Sequence, residues 1–465
     1  MNATDKLRNL ESWLTHIERL HPQGKDGINP GLERCQVVSA HLHQQKPCPL
    51  IVVGGTNGKG STCAFLESIC RAAGYRTGCY TSPHFETYNE RVRLDGLPAD
   101  DIALCIAFEQ VEKARALAGI SLTYFEFGTL AAWECMCAAQ VEVIILEVGL
   151  GGRLDATNLY DTDVAIVTGV ALDHTEWLGH DREAIGLEKA GIFRTTRPAI
   201  CSDPNPPASL LQHAGSIDAD LRLVGRDFGY QSDALMRNAW HYWHRSKKNG
   251  KTGVRKRLDF AWPGLRGRQQ LANASAAITA LVCLDELLPV STQALREGLL
   301  RTSLPGRFQV LPGRCVRVID VAHNAQATQA LADNLADMGY FRHNIAVVGM
   351  LADKDIDAAL RPLIALIDRW LLCQLPSSRS ETTASLEAVL QKLGAERTTR
   401  PGNTSANKTL SVQHCNSPAE ALRKAEESAG ENDRIVVFGS FYTVAGALAF
   451  ANGSMSQEPG REPKS

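Results

Sequence analysis

The segment from residue 49 to residue 73 constrains this chain more than any other. A short apolar run up to Val53 leads into the glycine-rich turn GGTNGKG at 54–60, and helical periodicity begins at Ser61. Between a strand and a helix, glycines let backbone N–H groups point inward, and the helix N-terminus adds partial positive charge. Lys59 and the Ser61 hydroxyl complete a predicted site for phosphate groups and Mg²⁺, although Gly60 separates them and the spacing departs from the common phosphate-loop pattern. A purely structural glycine turn is the alternative.

Strand-length apolar runs alternate with helix-length segments from about residue 50 onward, which predicts an α/β fold. We expect a P-loop-type domain with a mostly parallel sheet, followed by a smaller Rossmann-like α/β domain. The break Leu304-Pro305-Gly306 places the predicted boundary between residues 1–303 and 304–465. Predicted strands lie at 49–53, 143–146, 164–168, 316–320, 345–350, 370–374 and 435–439, and a helix is predicted over 268–286.

Three stretches have weaker patterns. Organisation weakens between residues 204 and 264, where 240–257 mixes aromatic residues with lysines and arginines. We interpret 240–257 as a solvated hairpin or surface loop, with a polyanion site as the alternative. Residues 398–417 are polar and predict a loop, and 453–465 predict a disordered tail.

The composition excludes several classes of protein. The 465 residues include 49 basic and 51 acidic side chains, so neither a nucleic-acid partner nor a polybasic membrane contact is expected. The 13 cysteines are scattered without CxxC pairs, which is typical of reduced thiols in a cytoplasmic protein. Neither a secretory signal nor an apolar run near the roughly 18 residues of a membrane span is found. A cytoplasmic enzyme or binding protein acting on small molecules remains.

Two polar residues follow predicted interior strands. Glu147 ends an apolar strand directly before a glycine-rich turn, and His174 follows the next strand. Ligands of open parallel sheets collect at the carboxyl edge, and Mg²⁺ accepts one or two protein carboxylates there beside water and phosphate. Glu147 is therefore a candidate magnesium ligand. His174 by itself is better explained as an ordinary hydrogen-bonded histidine, because imidazole prefers softer metals.

Several further blocks carry a family resemblance. Together with the turn at 54–60 the chain resembles the ATP-dependent amide ligases that comprise the folylpolyglutamate synthases and the Mur ligases, and most of all the bacterial bifunctional dihydrofolate synthase/folylpolyglutamate synthases. The blocks occur in family order and span nearly the whole chain. They are TSPH at 81–84, ER at 90–91, TYFE at 123–126, EVGLGGRLDATN at 147–158, DHT at 173–175, EKAGIF at 188–193, PGR at 305–307 and DVAHN at 320–324.

The resemblance implies two magnesium sites. Ser61 matches the phosphate-loop ligand, and Ser82, Glu147 and His174 match the positions that hold a magnesium ion between nucleotide and substrate. Lys189, which would otherwise be expected on a solvated helix face, matches a lysine that is carbamylated in the family and so becomes an oxygen ligand. The resemblance leaves a monovalent-cation requirement open.

The resemblance also implies the ATP contacts. Gly58, Lys59, Gly60 and Ser61 match the phosphate loop, and Asn273 matches a nucleotide-contacting asparagine. Arg307 and Asp320 match ATP contacts from the second domain, where a planar guanidinium suits transferring phosphate. Lys59, Glu147, His174, Lys189 and Arg307 are thus the predicted catalytic residues. Ala325 departs from the family, whose members commonly have proline after His-Asn.

A dihydropteroate pocket is implied as well. It comprises the block Thr123, Tyr124, Phe125 and Glu126, the block Leu154, Asp155 and Ala156, and the segment Asn29, Pro30, Gly31 and Leu32. Aromatic rings beside a carboxylate suit a flat heteroaromatic ligand, although composition alone would favour an ordinary amphipathic segment. Relatives often have Asp-Leu where this chain has Asn29-Pro30. His323 is assigned to glutamate binding.

The resulting hypothesis is an ADP-forming ligase that acts through an acyl phosphate. It adds L-glutamate to 7,8-dihydropteroate and then to reduced folates, and we expect a monomer whose two domains close near Leu304. A monofunctional folylpolyglutamate synthase, a Mur-type amino-acid ligase and a P-loop switch or ATPase are the alternatives. The last would leave Glu147 and the second domain without a role.

Overall fold

The computed structural model describes residues 9–22, 24, 27–43, 45–232, 239–248, 251–398 and 411–455. The chain divides into two compact units. Unit 1 comprises Met1–Gly264 and Gln269–Ser303, and unit 2 comprises Leu265–Arg268 and Leu304–Ser465. None of the helices in the described ranges is long and apolar enough to cross a lipid bilayer.

Within its described residues, unit 1 is built on an eight-stranded sheet. Its strands are β1 (Leu50–Gly54), β2 (Thr77–Tyr80), β3 (Val92–Leu94), β4 (Leu97–Pro98), β5 (Val143–Glu147), β6 (Val164–Val167), β7 (Pro198–Cys201) and β8 (Asp220–Leu223). The strand order is β4-β3-β2-β5-β1-β6-β7-β8, in which the pairs β2–β3 and β3–β4 are antiparallel and the other neighbouring pairs are parallel. Central strands such as β1 are buried along their whole length, as apolar strands covered on both faces must be.

The helices of unit 1 follow the alternation that the sequence predicts. They are α1 (Leu10–Glu18), α2 (Glu33–Ser39), α3 (Lys59–Ala72), α4 (Asp101–Ala118), α5 (Tyr124–Ala138), α6 (Thr175–Leu178), α7 (Arg182–Ala190), α8 (Ala208–Ser216), α9 (Gln269–Cys283) and α10 (Thr292–Arg301). Short 3₁₀ helices occupy Tyr88–Arg91 and Ala156–Leu159.

Residues 204–264 are more ordered than the sequence predicted. They contain α8 and β8, and then a three-stranded antiparallel sheet of β9 (Phe228–Ser232), β10 (Ala239–Lys248) and β11 (Lys251–Ala261). The expected hairpin is present, but it is not solvated on both faces. Trp240 and Tyr242 are fully buried, and the Tyr242 hydroxyl bonds to Thr279 Oγ1 of α9 at 2.9 Å. The period-2 alternation of a strand explains how one face meets a helix while the other carries charge.

Unit 2 has, in its described part, a six-stranded sheet in the order β12-β13-β17-β14-β15-β16. Its strands are β12 (Gln309–Leu311), β13 (Val316–Ile319), β14 (Asn344–Val348), β15 (Arg369–Cys373), β16 (Ser411–Cys415) and β17 (Arg434–Phe438). Its helices are α11 (Ala325–Asp337), α12 (Ile356–Leu360), α13 (Thr383–Thr398), α14 (Pro418–Ser428) and α15 (Phe441–Met455). All strands but β12 run parallel. The predicted α/β fold class is confirmed by this architecture.

Two predictions about unit 2 were wrong in part. The loop expected at 398–417 includes strand β16, which pairs with β15 at the sheet edge, where a single neighbour lets polar side chains face water. The disordered tail expected at 453–465 is wrong for its first three residues, because α15 continues to Met455. Residues 399–410 and 456–465 lie outside the described residues.

The departure at Ala325 yields a stability prediction. Ala325 is the first residue of α11, and the preceding N-cap Asn324 has φ −135° and ψ 165°, a conformation that proline tolerates after it. We expect Ala325→Pro to raise the free energy of unfolding by about 0.5–1 kcal/mol, because proline restricts the unfolded chain. Thermal unfolding would measure the gain. In contrast, Ala327→Pro should destabilise the protein, because the Ala327 N–H donates to Asn324 Oδ1 at 3.0 Å and proline lacks this N–H. A lower thermal midpoint in both variants would contradict the prediction.

Candidate active site

The glycine-rich turn occupies the carboxyl end of β1 and the start of α3. Gly55 has φ +139°, and Gly58, the N-cap of α3, has φ +92°, so both adopt conformations that favour glycine. A Cβ on Gly55 would also collide with Thr168. The helix that follows carries Gly60 and Ser61 in its first turn, and Ser61 is buried. The turn therefore has the backbone shape and helix terminus that a phosphate site requires.

Lys59 folds back over the turn. Its Nζ donates to the carbonyl oxygens of Gly55 at 3.1 Å and Thr56 at 3.2 Å. These neutral carbonyl acceptors hold the Lys59 ammonium group beside the loop. Phosphate oxygens would form charge-assisted hydrogen bonds with it that are stronger than those to the carbonyls. The lysine is thus held at the phosphate loop.

Two threonines anchor the turn, and sequence reasoning missed both. Thr168, after β6, donates its hydroxyl to the Asn57 carbonyl at 2.7 Å. The Thr56 N–H donates to Gly169 O at 2.8 Å, and the Thr56 hydroxyl accepts from Ala171 N at 3.0 Å. Their sequence signal, hydroxyls next to strand ends, is too common to be recognised without the fold.

Asn273 lies against the same turn. It is buried in α9, its Nδ2 donates to Gln270 Oε1 at 2.9 Å, and its Oδ1 approaches Gly58 so closely that a Cβ there would not fit. The structure therefore brings the predicted nucleotide-contacting asparagine to the phosphate loop, over 200 positions along the chain.

The predicted metal ligands Glu147 and Ser82 lie beside each other. Glu147 ends β5 directly next to β1, with Val53 as its register partner, and it is buried. Its carboxylate accepts the Ser82 N–H at 3.2 Å. A single carboxylate suits Mg²⁺, which takes one or two protein carboxylates and keeps room for water and phosphate oxygens. Among the described residues no cluster of three or more His, Cys, Asp or Glu side chains could hold a metal.

His174 caps α6 in a left-handed conformation, φ +50°, after the loop that leaves β6. Its N–H donates to Asp173 Oδ1 at 3.0 Å. A non-glycine residue at positive φ is uncommon, and such strain is frequent at functional sites. The imidazole role in metal binding stays a prediction.

Lys189 is buried, contrary to the solvated position that a helical lysine alone would suggest. Its side chain belongs to α7 and only 3% of the residue is exposed. Burial, and after it the charge of Lys59, lowers the pKa of Lys189 from 10.5 to about 7, while the charges of Asp173 and Asp155 oppose this shift. A neutral amine is the form that reacts with CO₂, so the pKa favours the carbamylation that the family resemblance implies.

The Lys189 pKa predicts a pH-dependent stability. Between pH 7 and 10.5 the unfolded chain binds a proton that the folded chain does not, so stability rises with pH through this window. The stability advantage of Lys189→Met over the parent enzyme should therefore be largest at pH 7 and should decrease progressively towards pH 10. Thermal midpoints in CO₂-free buffer measure this, with the exposed Lys113→Met as control. A difference between parent and Lys189→Met that does not change with pH contradicts the prediction.

The three predicted pocket segments meet in unit 1. Thr123 and Glu126 form a capping box at the start of α5, with Thr123 N–H donating to Glu126 Oε2 at 2.8 Å. The Phe125 ring lies against Gly149 and leaves no room for a Cβ there. Asp155 is buried and accepts from Leu150 N at 2.8 Å. Tyr124, Leu154, Ala156, Pro30 and Leu32 lie in these same segments.

Arg34 joins these segments, and it was not among the residues that the sequence analysis singled out. It donates to both oxygens of Glu126, the shortest distance being 2.6 Å, and to the carbonyl of Asn29. The Gly31 N–H donates to Leu154 O at 3.3 Å. The Glu126 carboxylate is thus paired with Arg34 within the protein, and its contact with the substrate stays a prediction.

In unit 2 the predicted ATP and glutamate residues lie around the carboxyl end of β13. Asp320 is buried and accepts from the N–H groups of Phe308 and Ala322, each at 2.8 Å. Burial raises the pKa of Asp320, and the Arg307 cation opposes the shift. The Arg307 guanidinium lies 5.1 Å from the centre of the Phe441 ring, and His323 Nδ1 donates to Val321 O at 2.9 Å.

Comparisons with known proteins agree with this arrangement. The model of the Mur ligase middle domain matches residues 53–281, and that of the Mur ligase glutamate ligase domain matches 306–441. Fold and site thus define a Mur-type ligase. The dihydrofolate synthase/folylpolyglutamate synthase of Escherichia coli (strain K12) is 41% identical over 437 residues, 94% of each chain.

Two solved structures are similar over nearly the whole chain. Escherichia coli FolC in complex with DHPP and ADP has 39% identity and a TM-score of 0.85, with 97% of this chain and 99% of that chain covered. A bifunctional folylpolyglutamate synthase/dihydrofolate synthase with Mn, AMPPNP and L-glutamate bound has 38% identity and a TM-score of 0.82, with 96% and 98% covered. The chain belongs to the dihydrofolate synthase/folylpolyglutamate synthase family of Mur ligases and is an ATP-dependent ligase. The resemblance seen in the sequence is confirmed.

Proposed function

We propose that this enzyme joins L-glutamate to 7,8-dihydropteroate and then extends reduced folates through their γ-carboxylate, forming ADP and phosphate. One observation carries the bifunctional assignment. The turn that leaves β5 begins at Glu147 beside the phosphate loop, packs against Phe125 at Gly149, and ends at Asp155 in the pocket segments. A single short turn therefore connects the proposed ATP site with the proposed dihydropteroate pocket. A ligase that phosphorylates the carboxylate of dihydropteroate requires these two sites to be close together.

The chemistry has two steps. An oxygen of the substrate carboxylate attacks the γ-phosphorus of ATP, the bond to the β-phosphate oxygen breaks, and ADP leaves an acyl phosphate. The α-amine of glutamate then attacks the acyl carbon, phosphate departs, and the nitrogen loses a proton to form the amide. The first transition state needs positioned positive charge more than a covalent nucleophile. Lys59 and the N–H groups at the start of α3 supply that charge.

The enzyme uses ATP and a divalent metal, and its similar structures contain ADP, AMPPNP and Mn. We propose two Mg²⁺ sites. Ser61 would hold the ion on the nucleotide, and Ser82, Glu147 and His174, with carbamylated Lys189, would hold the other. When bound, the ions neutralise charge on the transferring phosphoryl group. A monovalent-cation requirement stays an open prediction.

For the second domain, residues 304–465, we retain the assignment of a glutamate-ligase domain. Arg307 and Asp320 are proposed to contact ATP, and His323 to bind glutamate. The match of the glutamate ligase family model to residues 306–441 and the grouping of these three residues at one strand end support it. We keep the expectation of a cytoplasmic monomer acting on small molecules, with no nucleic-acid or membrane partner.

Mass spectrometry of products tests the function. With ATP, Mg²⁺ and glutamate, dihydropteroate should yield dihydrofolate, and a reduced folate should yield a ladder of products one glutamate apart. A ladder without product from dihydropteroate would indicate a monofunctional folylpolyglutamate synthase. Phosphate release that needs neither substrate would overturn the ligase mechanism.

A further inference from the structure

Arg34 contacts two of the three predicted pocket segments with one side chain. Its guanidinium forms a fork on Glu126, with Nη2 at 2.6 Å from Oε1 and Nε at 3.1 and 3.2 Å from the two oxygens. The same Nη2 donates to the carbonyl of Asn29. One side chain therefore ties the start of α5 to the segment before α2. The neighbouring Gly31 N–H bonds Leu154 O and brings in the third segment.

The Arg34–Glu126 ion pair is important for the pocket because the Glu126 carboxylate is both charged and buried. Glu126 is only 4% exposed, and besides Arg34 its carboxylate receives the Thr123 N–H. A buried carboxylate that loses its cation must be rehydrated, protonated or moved, and each of these disturbs the first turn of α5. That turn carries Tyr124 and Phe125. The acceptor at residue 29 is a main-chain oxygen, so this contact does not depend on the departure from the family at Asn29.

We propose that Arg34 is the positioning residue that assembles the dihydropteroate pocket and thereby determines whether this enzyme accepts dihydropteroate. The inference rests on the bifunctional activity proposed above. Arg34 acts through Glu126, Asn29 and the segments that they hold, rather than on the reacting atoms.

The effect should be selective for one of the two activities. In dihydropteroate the reacting carboxylate belongs to the aminobenzoate ring, whereas in a folate the reacting γ-carboxylate lies one glutamate further from the pteridine. The phosphate loop and Glu147 fix where a carboxylate reacts, so the two pteridine rings cannot occupy the same place. A pocket held rigid by Arg34 therefore binds the pteridine ring of dihydropteroate, the shorter substrate, and not that of a folate.

Steady-state kinetics of Arg34→Met with both substrates test the proposal. We expect KM for dihydropteroate to rise at least about tenfold, because small displacements in a binding site have large effects. KM and kcat for a reduced folate should stay within about twofold of the parent. Arg34→Lys keeps the charge but lacks the fork, so it should restore part of the dihydropteroate affinity.

Arg115 offers a matched control. It makes a similar fork on Glu112, at 2.7 Å to each oxygen, and donates to the Ile120 carbonyl, and its side chain is 21% exposed against 22% for Arg34. Arg115→Met removes an equivalent bridge whose partners, Glu112 and Ile120, are not among the predicted pocket residues, and it should leave the ratio of the two activities unchanged.

The outcomes separate the proposal from the function on which it rests. If the parent makes no dihydrofolate, the bifunctional assignment fails. If the parent does and Arg34→Met changes both KM values equally, or neither, the role of Arg34 is overturned. Retained activity with the reduced folate shows that Arg34→Met is folded. If Arg34→Met does not fold, the test uses Arg34→Lys instead. A dihydropteroate KM in Arg34→Lys equal to that of the parent overturns the proposal. Adding Arg34→Met to Glu126→Gln should raise the dihydropteroate KM by less than the product of the two single effects, because both substitutions weaken the same ion pair, and a fully multiplicative effect overturns the proposal.

Discussion

Lys59→Ala is expected to reduce ATP-dependent ligation about 10³-fold while the enzyme stays folded. Lys59 Nζ donates to the carbonyl oxygens of Gly55 and Thr56, both in its own loop, so the loss of these two bonds disconnects no distant segment. What is lost is a positioned cation at the phosphate loop, whose contribution grows as negative charge shifts during phosphoryl transfer. Initial rates of phosphate release with each substrate pair, together with a thermal midpoint, measure both quantities.

Lys46→Ala is the control for that experiment. Lys46 precedes β1, whereas Lys59 follows it, and its Nζ likewise bonds a main-chain oxygen, that of Asp161, as well as Asp163. This substitution should affect stability rather than kcat. Near-normal ligation by Lys59→Ala would remove Lys59 from the mechanism, and a similar loss in both variants would mean that the effect is structural.

Glu147→Gln is expected to have the second large effect, a loss of roughly 10²–10³-fold in kcat at a fixed metal concentration. Glutamine keeps the size of the side chain and an oxygen that can accept the Ser82 N–H, but it lacks the charge that attracts Mg²⁺. Activity titrated with Mg²⁺ or Mn²⁺ should therefore show a higher metal requirement, and excess metal should restore part of the rate.

The same substitution at the other end of this strand provides the comparison. Glu142 directly precedes β5, and its carboxylate is half-exposed beside Arg76. Glu142→Gln should leave the metal titration unchanged. A Glu147→Gln enzyme with the parent's metal dependence would show that Glu147 is not a ligand, and Ser82 would lose its assignment with it.

The strand–turn–helix unit at the phosphate loop could be predicted from sequence because its determinants are local. Gly55, Gly58, Lys59 and Ser61 follow one another in the chain, and backbone conformation, helix terminus and charge all act within this short segment. The same holds for Glu147, because an apolar run of strand length in a parallel sheet must end at the edge where ligands collect. For the more distant residues, family resemblance supplied what periodicity could not.

Contacts between distant segments could not be read from the sequence. The burial of Lys189, the approach of Asn273 to Gly58 and the Thr168 bond to the loop depend on which helices and strands pack together. The buried face of β10 was missed for the same reason. Its apolar side chains alternate along the strand, but only their packing against α9 shows which face is buried. Local patterns carry no information about such partners.

The sequence by itself determined the α/β class, the phosphate loop and the family, because these depend on short-range geometry and on residues in a recognisable order. Only the tertiary structure decided which charged side chains are buried and with whom they pair. Arg34 shows why: an arginine in an early helix looks like any solvated cation until folding brings it to the carboxylate of Glu126, 92 positions away. Because Glu126 is buried there, breaking this ion pair would leave an uncompensated charge, and for this reason we propose that the contact holds the pocket together.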